Sequence, residues 1–251
     1  IHSYVVVIFY LLGYEITGSS GFLLLFVFLG CQITKAQSTI ALLIPDSLKA
    51  NAHSVIRLYE ETFFVKNPSE ATQKYHYIIT ILDQRGQDNA TVSVFHDKHV
   101  KINDMEAVIY DAFGKQVKKM RRADIVDINY VSSGSLFEDN KIKTADLKYA
   151  NYPYTIEVTY EITTSNLLFF PKFFPQSDAG TAVEKAQLDI VVPDDVGLRY
   201  KALNGISSPL VTENGFMRTY HWELKNLIVK TSEDYSPENA KLGPGVLTAP
   251  N

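Results

Sequence analysis

Strict alternation of apolar and polar side chains is the feature that most constrains how this chain folds. Residues 154–163 read YTIEVTYEIT, with Tyr, Ile or Val at every even position and Thr or Glu at every odd one. Successive side chains of a β-strand point to opposite faces, whereas a helix would scatter the same apolar residues around its circumference. The segment is therefore predicted to be a strand with one face on a core and the other facing solvent.

The same period of two recurs along most of the sequence. It is clear at residues 75–81, 188–192 and 216–224, and shorter or less regular at 55–65, 91–95, 100–110 and 227–231. Within residues 100–110 the phase shifts between Ile102 and Met105, which predicts a bulge or a turn near Asn103-Asp104.

Turn residues separate these segments at short intervals. Asn204-Gly205 and Asn214-Gly215 are the strongest hairpin signals, because both residues of such a dipeptide tolerate positive φ. The most persuasive helix is a short one at residues 45–52, where Asp46 is a candidate cap. Many short strands joined by turns predict an all-β fold, and we expect an antiparallel two-sheet β-sandwich with this one short N-terminal helix.

Size and charge narrow the range of functions. A chain of 251 residues can bury enough surface to be stable without a disulfide or a metal. Its formal net charge is −4, with acidic and basic residues mixed, so it lacks the basic stripe that nucleic-acid binding requires. The densest basic cluster, at residues 115–122, is interpreted as a solvated strand end or turn. Nucleic acid is therefore not an expected partner.

The first thirty-six residues have the character of an export signal. Residues 22–29 (FLLLFVFL) form an apolar run that is too short to cross a bilayer as a helix but suits the core of a signal peptide, with cleavage after Ala36. No Lys or Arg precedes Lys35 and the chain begins with Ile1, so residues 1–20 are of doubtful origin. We expect a signal-peptide helix at 1–36 and a location in the periplasm or at the cell surface. A lipid-modified Cys31 and an uncleaved membrane anchor are the alternatives.

Cys31 is the only cysteine in the sequence, and cleavage after residue 36 would remove it. The mature chain would then hold no thiol nucleophile, no disulfide and no cysteine-ligated metal. Residues 37–232 are predicted to be the sandwich domain. Residues 233–251 contain Pro237, Gly243-Pro244-Gly245 and Pro250 with little periodicity, and are predicted to be a linker toward a missing downstream domain.

Four segments in order resemble one bacterial family, domain of unknown function 3857. They are an opening IPDSLKANAHSVIR at 44–57, a strand and turn YHYIITILDQRG at 75–86, VIYDAFGKQV at 108–117, and YPYTIEVTYEIT at 152–163 followed by the aromatic and proline segment FFPKFFP at 169–175. Each motif is loose by itself, but together the resemblance covers about residues 40–230.

The resemblance implies an exported, non-catalytic β-sandwich that stands ahead of a transglutaminase-like domain. Such a domain uses Cys, His and Asp for acyl transfer or amide hydrolysis, and those residues have no counterpart in this chain. We therefore expect no enzyme activity, no catalytic residues and no cofactor here, with the downstream domain as the partner. The alternative is a free-standing module that binds an envelope glycan or peptide.

Three polar patterns invite a chemical interpretation. His96 and His99 would need to converge to bind a metal, but residues three apart on a strand point to opposite faces. Residues 127–138 have the length of a calcium loop, yet Val131 and Ser132 occupy positions that call for an oxygen ligand and a glycine. Glu157 and Glu161 could serve a hydrolase only if they faced other carboxylates across a cleft, and the pattern instead predicts a solvent-facing strand. No metal site is expected.

The aromatic residues are the best binding candidates. Phe169, Phe170, Phe173 and Phe174 surround two prolines in a segment that is unsuited to a central strand. If exposed, they would form an interaction surface for a partner domain or a ligand; otherwise they cap one end of the sandwich core. Trp222 alternates in phase with its apolar neighbours and is predicted to lie in the core.

Overall fold

The structure of the chain is a computed structural model, and it describes residues 38–129, 140–230 and 243–251. All of these belong to one compact unit, Ser38–Asn251. The predicted signal peptide and Cys31 lie outside the described residues. Within the described ranges no helix has the length and apolar character needed to cross a bilayer.

Strands dominate the described part of the chain, as the alternation predicts. They are β1 (Ser54–Asn67), β2 (Glu70–Ile81), β3 (Thr91–His96), β4 (Val100–Tyr110), β5 (Gln116–Lys119), β6 (Val126–Asn129), β7 (Lys141–Asp146), β8 (Tyr154–Thr164), β9 (Lys172–Phe173), β10 (Thr181–Pro193), β11 (Arg199–Leu203), β12 (Leu210–Asn214), β13 (Met217–Leu227) and β14 (Gly245–Ala249). Helix α1 spans Asp46–Lys49, and 3₁₀ helices lie at Ala41–Leu43, Gln84–Ala90 and Arg122–Asp124.

The strands form one large sheet and two small ones. The main sheet has eight strands in the order β12-β13-β10-β1-β2-β8-β4-β5, and the three-stranded sheets have the orders β11-β14-β9 and β3-β7-β6. The predicted all-β sandwich is confirmed, with its second layer divided into two small sheets. One pair, β1 with β10, is parallel, and the long chain segment between these strands supplies the crossover connection that a parallel pair requires.

The core lies between the main sheet and the small sheets. Tyr154 and Ile156 of β8 are at most 1% exposed, and they belong to the same cluster as Leu147, Phe173 and Val246 from the second layer. Burying each of these large side chains stabilises the fold by about 1.5–3 kcal/mol. The predicted bulge in β4 is present as a register shift between Ile102 and Asp104.

The N-terminal segment covers part of the opposite face of the main sheet. Leu48 of α1 packs with Val55 and Ala182 in a second, smaller apolar cluster. The expected capping role of Asp46 is wrong, since Pro45 occupies the cap position and Asp46 pairs with Lys49 at 2.7 Å. Helix α1 is held by burial of Leu48 rather than by a side-chain cap.

The structure also corrects the predicted linker. Residues 245–249 form β14, which pairs with β11 and β9 and buries Val246 completely. Gly245 lies so close to the Phe174 ring that an added Cβ would be 2.3 Å from its Cδ1 atom. This glycine therefore permits close packing, whereas the sequence pattern suggested a flexible joint.

One of the two predicted Asn-Gly hairpins is confirmed, since Asn214-Gly215 joins the antiparallel strands β12 and β13. Two other local predictions need adjustment. Asn204-Gly205 is a turn with both φ angles positive, but β11 before it pairs with β14 and not with β12. The strand expected at residues 227–231 does not continue beyond Leu227, because residues 228–230 have no strand pairing.

Candidate functional site

The predicted aromatic segment divides between core and surface. Phe170 and Phe173 are 5% and 0% exposed, and they contact the rings of Phe63 and Tyr59 at centroid distances of 4.9 and 5.9 Å. Phe174 is half-buried, whereas Phe169 is 74% exposed. Of the four predicted surface residues, Phe169 is therefore the one available to a partner as the structure stands.

Phe174 instead helps to line a cavity on the inner side of the main sheet. The cavity has a volume of about 320 Å³ and lies between strands β1, β2 and β8 on one side and residues 88–93 and 174–178 on the other. Its floor is apolar and includes Ile56, Ile79 and Val158. Concave spaces of this size are where proteins bind small ligands.

Four tyrosines form the wall of this cavity, and strand register brings them together. Tyr75 and Tyr77 are two apart on β2 and so share a face, Tyr59 of β1 lies opposite Tyr77, and Tyr160 of β8 lies opposite Tyr75. The Tyr59 ring meets Tyr77 at 84° and Tyr75 at 82°, with centroids 6.0 and 6.4 Å apart. Tyr75 and Tyr160 are stacked at 4.3 Å.

A buried carboxylate lies behind the tyrosines. Glu61 is 2% exposed, and it accepts hydrogen bonds from the Tyr59 hydroxyl at 2.7 Å and from Gln73 Nε2 at 2.5 Å. Burial raises the pKa of Glu61, although its hydrogen bonds oppose that effect. Burial and the nearby Glu61 charge also raise the pKa of Tyr75 far above its usual range. The tyrosines therefore stay protonated and suit binding rather than proton transfer.

Acidic groups lie at the mouth of the cavity. Asp88 and Asp178 both belong to its lining and are exposed to solvent. Among the described residues that line it, none is Lys, Arg or His. The cavity thus combines aromatic walls, an apolar floor and a negatively charged entrance.

A second polar cluster occupies the outer face of the main sheet. His76 Nδ1 lies 3.1 Å from Glu60 Oε2, and its Nε2 lies 2.9 Å from Glu157 Oε1. The Tyr110 hydroxyl donates to the other Glu157 oxygen at 2.8 Å. Hydrogen bonds first to Glu157 and then to Glu60 raise the pKa of His76 to about 9, so this imidazole is protonated at neutral pH.

This cluster corrects the prediction that the Glu157 face of β8 is open to solvent. Glu157 is 6% exposed and committed to His76 and Tyr110. Glu161, further along the strand, pairs with Lys74 at 3.0 Å and accepts from Asn103. Each carboxylate is occupied by neighbours on its own sheet, an arrangement that serves strand pairing.

The other polar patterns separate in the structure. His96 lies 3.1 Å from Asp127, while His99 faces Ser165 at 3.2 Å, so the two imidazoles have different partners. No group of three or more potential metal ligands occurs within residues 38–129, 140–230 and 243–251. Most of the candidate calcium loop at 127–138 lies outside the described residues.

Sequence reasoning missed the tyrosine cavity, although one signal pointed to it. Tyr75, Tyr77 and Tyr160 all fall on the apolar phase of their strands, where purely aliphatic residues would pack more simply. A tyrosine on the inward face needs a partner or water for its hydroxyl. Their concentration on that phase predicts a polar pocket, but not which tyrosines meet. Trp222, in contrast, is 2% exposed and lies in the core as predicted.

The fold resembles those of larger proteins of known structure. A protein from Parabacteroides distasonis ATCC 8503 described as a "putative protease" matches with a TM-score of 0.67 at 13% identity, over 78% of this chain and 40% of that one. An M1 zinc metallopeptidase from Deinococcus radiodurans covers 79% of this chain and 42% of its own at 8% identity, but its TM-score of 0.38 is too low to support an argument. The present chain thus spans less than half the length of these proteins. A search of curated proteins gave no match.

A family model extends over most of the described domain. It is that of a domain of unknown function with a solved structure, DUF3857, and it matches residues 67–230. The match begins at the end of β1 and runs past β13, so it includes most of the main sheet and three of the four cavity tyrosines. This chain belongs to the family of domain of unknown function 3857.

Proposed function

We propose that this chain is a non-catalytic β-sandwich module that supports a transglutaminase-like or peptidase-like domain within an exported protein. The observation that carries the proposal is the fold shared with the Parabacteroides protein, in which the matched part is 40% of the chain. A domain of this fold is there accompanied by a longer stretch of other sequence. The resemblance to the family, which implies a downstream domain, is the second support for the proposal.

The polar clusters of the described domain support a structural role for the sandwich. His76 is held between two carboxylates, and Glu161 is paired with Lys74. A general base needs a free proton acceptor beside a substrate, and a histidine whose pKa is about 9 is already protonated at neutral pH.

The gene beyond residue 251 provides the direct test. We expect a continuous reading frame that encodes a domain with a Cys, a His and an Asp in the order of a transglutaminase-like enzyme. We also expect amide hydrolysis or acyl transfer by the complete product to be lost when that cysteine is replaced by serine. A reading frame without such a domain, or activity that survives the replacement, would count against the proposal.

Export is a separate part of the proposal with its own test. Mass spectrometry of the mature protein from a cell-envelope fraction should find Gln37 at the N-terminus. A lipid-modified Cys31 would identify the lipoprotein alternative, and recovery in the cytoplasmic fraction with residues 1–36 intact would refute export.

A free-standing module for an envelope glycan or peptide is the second candidate. The tyrosine-walled cavity favours it, because a purely structural sandwich does not require an open cavity lined with tyrosines. Glycan and peptide arrays probed with the purified protein test this function, and a complete lack of binding would weaken it.

A further inference from the structure

The walls of the cavity favour a cation. Tyr59 meets Tyr75 and Tyr77 nearly at right angles, and all three rings line the cavity. The face of an aromatic ring carries negative charge density, and a cation within about 6 Å of the ring centre is attracted to it. Tyr160, stacked on Tyr75, extends this wall.

The charges around the cavity point in the same direction. Asp88 and Asp178, both exposed to solvent, lie at its mouth. The described lining contributes no cationic side chain to balance them. An anionic ligand would therefore be repelled, whereas a cation gains from both the rings and the carboxylates.

The apolar floor of the cavity favours an organic cation over a hydrated metal ion. Ile56, Ile79 and Val158 offer an apolar surface that would not hold a hydrated metal ion but suits methyl or methylene groups. Asn89 and Ser93 also line the cavity, where their side chains are hydrogen-bonded to Ser54 and Thr144 respectively. A volume of about 320 Å³ is enough for one small organic group.

We propose that this cavity binds an alkylammonium group, carried either by a lysine side chain of a peptide or by a free quaternary amine. The inference rests on the ligand-binding alternative described above and is independent of any downstream catalytic domain. Alkyl carbons would contact the isoleucine floor while the charged nitrogen faces Tyr59 and Tyr77.

Two matched pairs of probes test the proposal by NMR titration of the purified protein, with Asn89 and Ser93 as reporters. Choline is compared with its neutral carbon analogue 3,3-dimethylbutan-1-ol, and the blocked peptide Ala-Lys-Ala with Ala-norleucine-Ala. We expect at least one cation to shift the reporter signals while its neutral partner does not. The pair that responds identifies the source, either a free amine or a peptide.

The opposite outcomes overturn the inference. Equal shifts from a cation and its neutral partner would mean that the cavity is simply apolar. Shifts from neither cation at millimolar concentration would mean that it does not bind this class of ligand. Binding of a glycan by these residues without competition from choline would leave the binding alternative intact and refute the alkylammonium assignment.

Variants separate the roles of rings and carboxylates. Tyr77→Leu retains apolar volume but removes the ring, and should weaken binding about tenfold. Asp88→Asn with Asp178→Asn changes two exposed residues and should weaken binding about threefold at low salt. Tyr200→Leu, which alters a 41% exposed tyrosine on β11 that is not part of the cavity lining, is the control and should leave affinity unchanged. Unaltered affinity in both cavity variants would refute the site.

Discussion

Replacing His76 by glutamine should remove a specific pH dependence from the stability of the domain. In the folded chain, hydrogen bonds to Glu157 and Glu60 raise the pKa of His76 from 6.5 to about 9. The folded state therefore holds a proton that the unfolded chain releases near pH 6.5. The resulting stability is fully present below pH 6.5 and is lost as the pH rises toward 9.

The magnitude follows from the size of this shift. A difference between 6.5 and about 9 corresponds to about 3 kcal/mol in the free energy of unfolding. The His76 side chain keeps 27% of its exposure, and solvent screening reduces the effect, so we expect about 2 kcal/mol. The glutamine variant should be less stable than wild type by that amount at about pH 6. The two proteins should converge at about pH 9.5.

Urea unfolding followed by tryptophan fluorescence measures this difference directly. Trp222 is the only tryptophan in the sequence and is 2% exposed, so its emission reports loss of the core. His99→Gln is the matched control, because the side-chain partner of this exposed histidine is a hydroxyl, that of Ser165 at 3.2 Å, and not a carboxylate. That variant should retain the wild-type loss of stability between the two pH values. An identical pH profile in wild type and His76→Gln would refute the reasoning.

Four further substitutions test other parts of the structure. Glu61→Gln should raise the free energy of unfolding at pH 7, because burial raises the pKa of this carboxyl and so disfavours its ionised form in the folded chain. The gain should vanish below the unfolded pKa of the carboxyl, and a destabilised variant at pH 7 would contradict the reasoning. Gly245→Ala should cost about 1–3 kcal/mol through the clash with Phe174, whereas no change in urea unfolding would mean that residue 245 is part of a linker after all. Phe173→Ala should cost about 3–5 kcal/mol and Phe169→Ala less than about 0.5 kcal/mol, so equal losses in a thermal melt would contradict their assigned burial.

Local periodicity was enough to predict the class of fold and most of the strands. The alternation at 154–163 predicts β8, because the side-chain period of a strand is fixed by backbone geometry alone. The phase shift at Asn103 likewise predicts the bulge in β4, since an extra residue on one strand must reverse the pattern. The same reasoning places Trp222 in the core.

Periodicity indicates which side of a strand faces inward but not what it meets there. Glu157 is predicted to face solvent because the residues that alternate with it on the same side of β8 are polar, yet His76 from another strand covers it. That contact joins residues 81 positions apart in the sequence, and only the strand order decides it. For the same reason, the β14 pairing could not be inferred from a segment rich in glycine and proline.

The sequence by itself therefore determined that the chain is a sandwich of strands, that Trp222 is inside, and that its motifs resemble one family. Tertiary structure alone decided that Tyr59, Tyr75 and Tyr160 meet around a cavity with an acidic mouth, and that Phe169 is exposed while Phe173 is buried. The physical reason is that strand geometry is a property of neighbouring residues. A cavity, in contrast, arises from the register of strands that are distant in the chain.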